Sequence, residues 1–176
     1  MLRGFFFAKK YQSLNEYINE GKIMAIEIER KFLTVSDAWR SAPAVYFCQG
    51  YLNRSKERTV RIRVAGEQGF LTIKGASIGA SRAEFEYDIP LADAKQLLTL
   101  CDGPLIEKYR RKITYEGMLW EVDEFLGDNQ GLVVAEIELE SETQAFAKPD
   151  WIGEEVTEDA RYYNSNLSLN PFNTWA

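Results

Sequence analysis

Charged residues occupy alternate positions in five separate stretches of this 176-residue chain, and mainly apolar residues fill the positions between them. The stretches are residues 27–31, 61–63, 82–88, 121–123 and 136–140. Because successive side chains of a β-strand point to opposite faces, each stretch predicts a strand with one charged face and one apolar face. The charged faces carry carboxylates, which suit a divalent cation, and Arg or Lys, which suit a polyanion. An enzyme that acts on a metal-bound polyphosphate would need that combination.

Length and composition narrow the class of protein. A chain of this length suits one domain, and its net charge of −6 argues against non-specific nucleic-acid binding. No apolar run approaches the roughly 20 residues of a membrane span, so we expect no membrane partner. The chain has no His, which excludes His-based triads and His-ligated zinc. Cys48 and Cys101 lie far apart without a signal peptide, so we expect free thiols in the cytoplasm.

The first 23 residues are expected to lie outside the functional domain. They precede a second methionine, Met24, and their apolar segment GFFFA is shorter than the roughly 7–15 residues of a signal-peptide core. They are either an upstream extension or a short surface helix around residues 13–19. We expect residues 24–176 to form the functional domain and deletion of residues 1–23 to leave activity unchanged.

Alternation over two residues dominates the remaining chain and predicts an α+β fold. We predict strands at residues 25–33, 45–53, 58–65, 69–75, 82–90, 105–115, 118–126 and 131–140. Helical spacing predicts a helix over 91–101, and shorter helices are expected after Ser36, from Ser141 to Pro149 and from Thr157. Eight antiparallel strands suffice to close a barrel around a small ligand. We therefore expect an eight-stranded antiparallel β-barrel with flanking short helices, the alternative being an open sheet whose charged face is merely solvated.

Two pairs of carboxylates suggest a metal site. Glu27 and Glu29 lie two residues apart on the first strand, about 6–7 Å along it, and Glu136 and Glu138 repeat this spacing on the last. Pairing of the first and last strands would bring all four together near Asp123, where a cation such as Mg²⁺ would neutralise them. The alternative is that each carboxylate forms an ordinary cross-strand ion pair.

A basic set accompanies these carboxylates. Glycine-rich phosphate loops are absent from the sequence, so phosphate would be held by side chains on rigid strands. Arg grips phosphate oxygens through its planar fork, and Lys supplies a point charge. The candidates are Lys31, Arg61, Arg63, Lys74, Arg82, Lys108 and Arg110.

The motif Glu27-x-Glu29-x-Lys31 resembles the ExExK signature of the CYTH superfamily, also called triphosphate tunnel metalloenzymes. The resemblance continues in order from Met24 to about Leu169, through RIR (61–63), TIKG (72–75), RAEFEYDI (82–89), IEKYR (106–110), WEVDEF (120–125), AEIELE (135–140) and EEVTEDARYYN (154–164). It implies an eight-stranded antiparallel β-barrel that forms a tunnel. The pattern is most similar to the small bacterial members, which resemble inorganic tripolyphosphatases.

The resemblance also implies roles for single residues. It places metal binding at Glu27, Glu29, Asp123, Glu136 and Glu138, and triphosphate binding at the basic set named above. It implies catalytic roles for Lys108, which would activate water, and for Lys31 and Glu29. It places Tyr51 among the substrate-binding residues, where its side chain would orient a tunnel lysine. The alternative is that Tyr51 only packs against neighbouring side chains. Arg161, Tyr162 and Asn164 would belong to a terminal helix that closes one tunnel mouth.

These implications favour metal-dependent hydrolysis of the terminal phosphoanhydride of inorganic tripolyphosphate, with Mg²⁺ or Mn²⁺ as cofactor. The alternatives are a class IV-type adenylyl cyclase, a nucleotide or thiamine triphosphatase, and a non-catalytic polyphosphate-binding protein. The last is disfavoured because a binder would not need both Glu-x-Glu pairs. The expected partner is a triphosphate, with no nucleic acid, and the chain could form a homodimer.

Overall fold

The structure, a computed structural model, describes residues 28–55, 57–78 and 81–175, with side chains described at 28–55, 57–75 and 84–175. Two α-helices lie in this part of the chain, α1 (Leu91–Leu98) and α2 (Asn164–Leu167). The remainder is mainly strand: β1 (Ile28–Thr34), β2 (Ala44–Ser55), β3 (Arg58–Ala65), β4 (Gln68–Ile78), β5 (Ser81–Ile89), β6 (Ile106–Tyr115), β7 (Met118–Phe125), β8 (Val133–Leu139) and β9 (Ile152–Glu155).

The strands form one antiparallel sheet in the order β5-β4-β3-β2-β6-β7-β8-β1-β9. The α+β class and the eight predicted strands are confirmed, but the expectation of an eight-stranded closed barrel is wrong. A ninth strand exists, and no ladder joins β5 to β1 or β9 among the described residues. The physical reason lies at β1, because β9 pairs with its outer edge at Phe32 and Thr34. That part of the edge is therefore not open to β5, and the sheet stays open.

The predicted pairing of the first and last charged strands is present as the β1–β8 ladder. Glu29 lies opposite Glu138, and Lys31 lies opposite Glu136. On the other side of β8, Glu136 lies opposite Glu121 of β7. This register gathers the charged residues of three strands on one face of the sheet.

The opposite face of the sheet is apolar and carries two separate cores. In one, Phe32, Trp120 and Ile137 of the sheet pack with Trp39, which lies on a 3₁₀ helix, and with Trp151. In the other, helix α1 inserts Ala94 and Leu98 against the sheet residues Cys48, Ile62 and Val64. The apolar positions that alternate with the charges are thus covered by helical segments and loops. The charged face is left available to bind a ligand.

The C-terminal segment covers part of the charged face itself. At one end of β1, β6, β7 and β8 that face becomes apolar, and it packs against Leu167 and its partly buried neighbours Tyr162, Phe172 and Trp175. The sheet residues in this third core are Leu33, Ile106, Phe125 and Val134. The C-terminal segment therefore closes the charged face at that end.

Two predicted helices differ in the structure. Residues 141–149 form no helix; a single turn joins the Gln144 amide to the Ser141 carbonyl, and Phe146 packs against the rings of Phe32 and Trp120. The capping pattern is used for that turn, with the Gln144 side chain accepting from the Glu140 amide. The predicted last helix is divided into a 3₁₀ turn (Ala160–Tyr162) and α2.

Two smaller findings concern the cysteines and the helices. Cys48 and Cys101 are free thiols, as expected. No helix in the part of the chain that the structure describes is long and apolar enough to cross a membrane. The predicted extension, residues 1–23, lies outside the described residues.

Candidate active site

A cavity of about 1560 Å³ lies on the charged face of the sheet. Side chains from β1 to β8 line it, and Tyr163, Asn164 and Ser165 of the C-terminal segment complete the wall. Of the predicted site residues, those that line the cavity are Glu29, Lys31, Tyr51, Arg61, Arg63, Lys74, Lys108, Arg110, Glu136 and Glu138. The structure thus brings acidic and basic candidates from five strands, together with Tyr51 of β2, into one site.

One cluster of charges in the site joins Lys108 and Arg110 to Asp123. The Lys108 ammonium donates to Asp123 Oδ2. Arg110 donates to both oxygens of the same carboxylate, from Nε at 2.6 Å and from a terminal nitrogen at 2.5 Å. Asp123 is fully buried and lies behind the two cations rather than in the cavity wall. Its carboxylate therefore fixes the position of both cations.

A second cluster joins Glu136 to cations on both sides. One oxygen of Glu136 accepts from Lys31 Nζ at 2.6 Å, and the other accepts from Arg110 at 2.7 Å. Lys31 also pairs with Glu29, and Arg110 pairs with Glu121. The cross-strand ion pairs that the sequence left as an alternative are thus present, and they connect predicted metal ligands to predicted phosphate ligands.

Burial and these charges shift pKa values in the site. Burial lowers the pKa of Lys108, with Arg110 acting in the same direction and Asp123 opposing it. For Glu136, burial favours the neutral acid, but attraction to Lys108, Lys31 and Arg110 outweighs it and lowers the pKa to about 2. Burial also lowers the pKa of Arg63, and the neighbouring Arg61 adds to the effect. The Glu136 carboxylate is therefore ionised across the neutral range.

A third cluster holds the guanidinium groups of β3. Glu86 accepts from Arg63 at 3.0 and 3.1 Å and from Arg61 at 3.4 Å. The Thr72 hydroxyl donates to the same carboxylate at 2.8 Å. The Arg63 guanidinium also lies 4.9 Å from the centre of the Phe70 ring, which supports it through a cation–π contact. Both Arg side chains are thereby held on the cavity face.

Sequence reasoning missed several residues of the site. Glu86 and Glu84 stand on β5, and Glu84 pairs with Lys74 at 2.9 Å. The alternation of residues 82–88 could have placed both carboxylates on the charged face, but the predicted site includes only Arg82 from that stretch. Gln49 and Phe47 of β2 also line the cavity. Both are uncharged, so the pattern of alternating charges did not identify them. The side chains of Glu27 and Arg82 lie outside the described residues.

The carboxylates of the site differ in how well they fit a metal ion. No group of three or more Cys, Asp or Glu side chains in the described part of the chain is placed to hold a metal, and Glu27 is outside it. Glu29 and Glu138 lie directly opposite each other, an arrangement of like charges that a cation would stabilise. Both oxygens of Asp123 are taken by cations, which fits a positioning role better than metal binding.

Comparison with known proteins gives the family. The sequence profile of the CYTH domain matches residues 25–169, most of the chain. The chain belongs to the CYTH domain family. This agrees with the resemblance drawn from the ordered motifs, and the CYTH domain includes the complete set of cavity-lining residues described above.

Individual CYTH relatives cover nearly all of the same domain. An inorganic triphosphatase of Acetivibrio thermocellus is 54% identical over 151 residues, which are 85% of this chain and 97% of that protein. An inorganic triphosphatase of Nitrosomonas europaea is 40% identical over 149 residues, 82% of this chain and 97% of that protein. A crystal structure of an inorganic triphosphatase superposes with a TM-score of 0.65 at 37% identity, covering 81% of this chain and 94% of its own.

Proposed function

We propose that this CYTH protein hydrolyses the terminal phosphoanhydride of inorganic tripolyphosphate in a metal-dependent reaction. The observation that carries the proposal is the cavity of about 1560 Å³, into which Lys and Arg from four strands and carboxylates from adjacent strands project. The 54% identity to an inorganic triphosphatase over 97% of that protein supports the same assignment.

The basic residues would bind the polyphosphate chain. Arg61 and Arg63 stand on β3, and Lys108 and Arg110 stand on β6, with β2 between the two pairs. A tripolyphosphate that spans these strands would meet guanidinium and ammonium donors at both ends. Because these side chains are held by Glu86 and Asp123, they need little reorganisation on binding. Lys31 would contribute from β1, and Lys74 from β4.

Carboxylates at the β1–β8 ladder would hold Mg²⁺ or Mn²⁺. We assign this role to Glu29 and Glu138, with Glu27 as the prediction from the Glu-x-Glu spacing. Glu136, whose two oxygens accept from Lys31 and Arg110, would hold those two cations in place. When bound, the metal would neutralise phosphate charge and orient the group that is transferred. Asp123 would instead hold Lys108 and Arg110 in place.

Lys108 is proposed to activate the attacking water. Its ammonium is almost fully buried, and burial lowers its pKa, so the neutral amine is more accessible than that of an exposed lysine. The neutral amine can accept a proton from water, while Arg110, held by the same carboxylate, stabilises charge on the phosphate. Tyr51 lines the same cavity and is 6% exposed.

Phosphate release from tripolyphosphate, ATP and thiamine triphosphate, each with Mg²⁺ and with EDTA, tests this function. We expect fast, metal-dependent release from tripolyphosphate and little from ATP. Preferred release from ATP or thiamine triphosphate would identify a different triphosphatase. Cyclic AMP and pyrophosphate from ATP would identify a cyclase, and tight binding without any product would identify a polyphosphate-binding protein.

We also propose that the protein works in the cytoplasm. Both cysteines are free, which suits a reducing compartment. Fractionation of the producing cells, followed by assay of tripolyphosphate hydrolysis in each fraction, tests the location.

A further inference from the structure

Strand β2 crosses the middle of the cavity and separates the two groups of cations. Its four residues that line the cavity, Val45, Phe47, Gln49 and Tyr51, are all uncharged. On one side β3 presents Arg61 and Arg63, and on the other side β6 presents Lys108 and Arg110. Since adjacent strands lie about 4.8 Å apart, a ligand that touches both β3 and β6 must pass roughly 10 Å across β2.

Gln49 stands in that path next to Phe47, whose Cα partner on β6 is Lys108. Its Cα partner on β3 is Arg63, and its Cα partner on β6 is Ile106, two residues before Lys108. The Gln49 side chain therefore lies on the same face as these cations and between them.

The Gln49 amide is almost fully buried but lacks a hydrogen-bond partner for its nitrogen. The residue is 2% exposed, and its Nε2 meets no acceptor among the described residues. A buried polar group left without a partner is destabilising, so such a group in a wall of the site points to a ligand that supplies the partner. The amide nitrogen is a donor only, and the missing partner must therefore be an acceptor such as a phosphate oxygen.

We propose that Gln49 is a substrate-binding residue that donates a hydrogen bond from Nε2 to an oxygen of tripolyphosphate where the chain passes between β3 and β6. The inference rests on the proposed function and adds a neutral contact to its charged ones. A neutral donor binds the anion without repelling Arg63 and Lys108, whose charges already crowd this region. A carboxylate at this position would instead face the phosphate with like charge.

Two substitutions separate this role from simple packing. Gln49→Leu keeps the approximate size but removes the donor, and Gln49→Glu keeps the shape but adds negative charge. Gln96→Leu, on the exposed face of α1, is the matched control for the change from Gln to Leu. We measure kcat and KM for tripolyphosphate, the rise in Tm that tripolyphosphate causes, and Tm without ligand.

We expect Gln49→Leu to lower kcat/KM about tenfold, mainly through KM, while its ligand-free Tm stays at or above that of the wild type. Gln49→Glu should lose more than Gln49→Leu, and Gln96→Leu should match the wild type. Wild-type kcat/KM and an unchanged ligand-induced Tm rise in Gln49→Leu would overturn the inference. If Gln49→Leu does not fold, wild-type kcat/KM in Gln49→Glu would overturn it.

The failure of the proposed function has a different signature. It would show as wild-type protein that releases no phosphate from tripolyphosphate. The role of Gln49 is then decided by the rise in Tm that tripolyphosphate causes: a smaller rise in Gln49→Leu than in the wild type supports it, and equal or absent rises overturn it.

Discussion

The Lys108 ammonium and the Asp123 carboxylate form an ion pair inside the protein, where their side chains are 3% and 0% exposed. Arg110 binds both oxygens of the same carboxylate. One buried anion thus sets the positions of two cations that project into the cavity. Because a buried charge without its partner is costly, this arrangement couples the stability of the fold to the geometry of the site.

Asp123→Asn tests this coupling. The substitution leaves two buried cations without their shared anion, so we expect a loss of about 3 kcal/mol in the free energy of unfolding. We also expect a drop of roughly a hundredfold in kcat, since Lys108 and Arg110 lose their orientation. Urea unfolding and tripolyphosphate kinetics measure the two effects.

The same variant distinguishes positioning from metal binding. If Asp123 only positions the cations, the residual activity should reach half its maximum at the wild-type Mg²⁺ concentration. Glu138→Gln, which alters a proposed metal ligand, is the comparison and should require more Mg²⁺. A clear rise in the Mg²⁺ concentration that Asp123→Asn requires would indicate that Asp123 binds the metal.

Glu29→Gln and Lys31→Ala should each remove most turnover. Lys31 would lose its contact with phosphate, and Glu29 would lose the charge that holds the cation, so we expect a fall of about a hundredfold or more in kcat/KM. Glu136 keeps its hydrogen bond to Arg110 at 2.7 Å in both variants, and the free energy of unfolding should therefore change by only about 1 kcal/mol. Unfolding of either variant at room temperature would indicate that these charges serve the fold rather than the reaction.

Stability should fall in acid partly because of Glu136. Its pKa is about 2 in the folded protein against an ordinary value of 4.5, because Lys108, Lys31 and Arg110 outweigh the effect of burial. The unfolded chain therefore binds more protons between these values, so this contribution is complete above about pH 4.5 and is lost as the pH falls towards 2. Urea unfolding in EDTA should show a steeper acid loss for the wild type than for Glu136→Gln, by up to about 1.4 kcal/mol per pH unit. Parallel curves would contradict this account of the ion-pair cluster.

Leu167→Ala should loosen the C-terminal segment that closes one end of the charged face. Leu167 is fully buried in the core that joins this segment to β6, β7 and β8. Removal of its side chain should cost about 2–5 kcal/mol. Leu169, which is 68% exposed, is the matched control, and Leu169→Ala should cost less than about 0.5 kcal/mol. Equal effects in urea unfolding would show that the segment is not packed as described.

The sequence predicted the charged face well because alternation over two residues records directly which side chains share a side of a sheet. All eight predicted strands exist, and Glu29, Lys31, Lys108 and Arg110 line one cavity. The open edge could not be predicted from this pattern. It depends on β9, which has only four residues, includes Gly153 and carries no alternating signal.

The sequence allowed cross-strand ion pairs, but it could not predict which carboxylate pairs with which Lys or Arg. Alternation placed Asp123 with the other carboxylates. It could not show whether Asp123 reaches the cavity, where a metal ion could bind, or stays buried against Lys and Arg side chains. In the structure Asp123 lies behind Lys108 and Arg110. The helix predicted from Ser141 failed for a related reason, because packing of Phe146 on Phe32 and Trp120 outweighs a local capping pattern.

The central claim is tested most directly by following tripolyphosphate with ³¹P NMR in the presence of the purified protein. With Mg²⁺, the account predicts that tripolyphosphate disappears and that phosphate and pyrophosphate form in equal amounts, because only the terminal phosphoanhydride is cleaved. EDTA should stop the reaction, and Lys108→Ala should slow it severely. Unchanged tripolyphosphate in the presence of wild-type protein and Mg²⁺ would contradict the account.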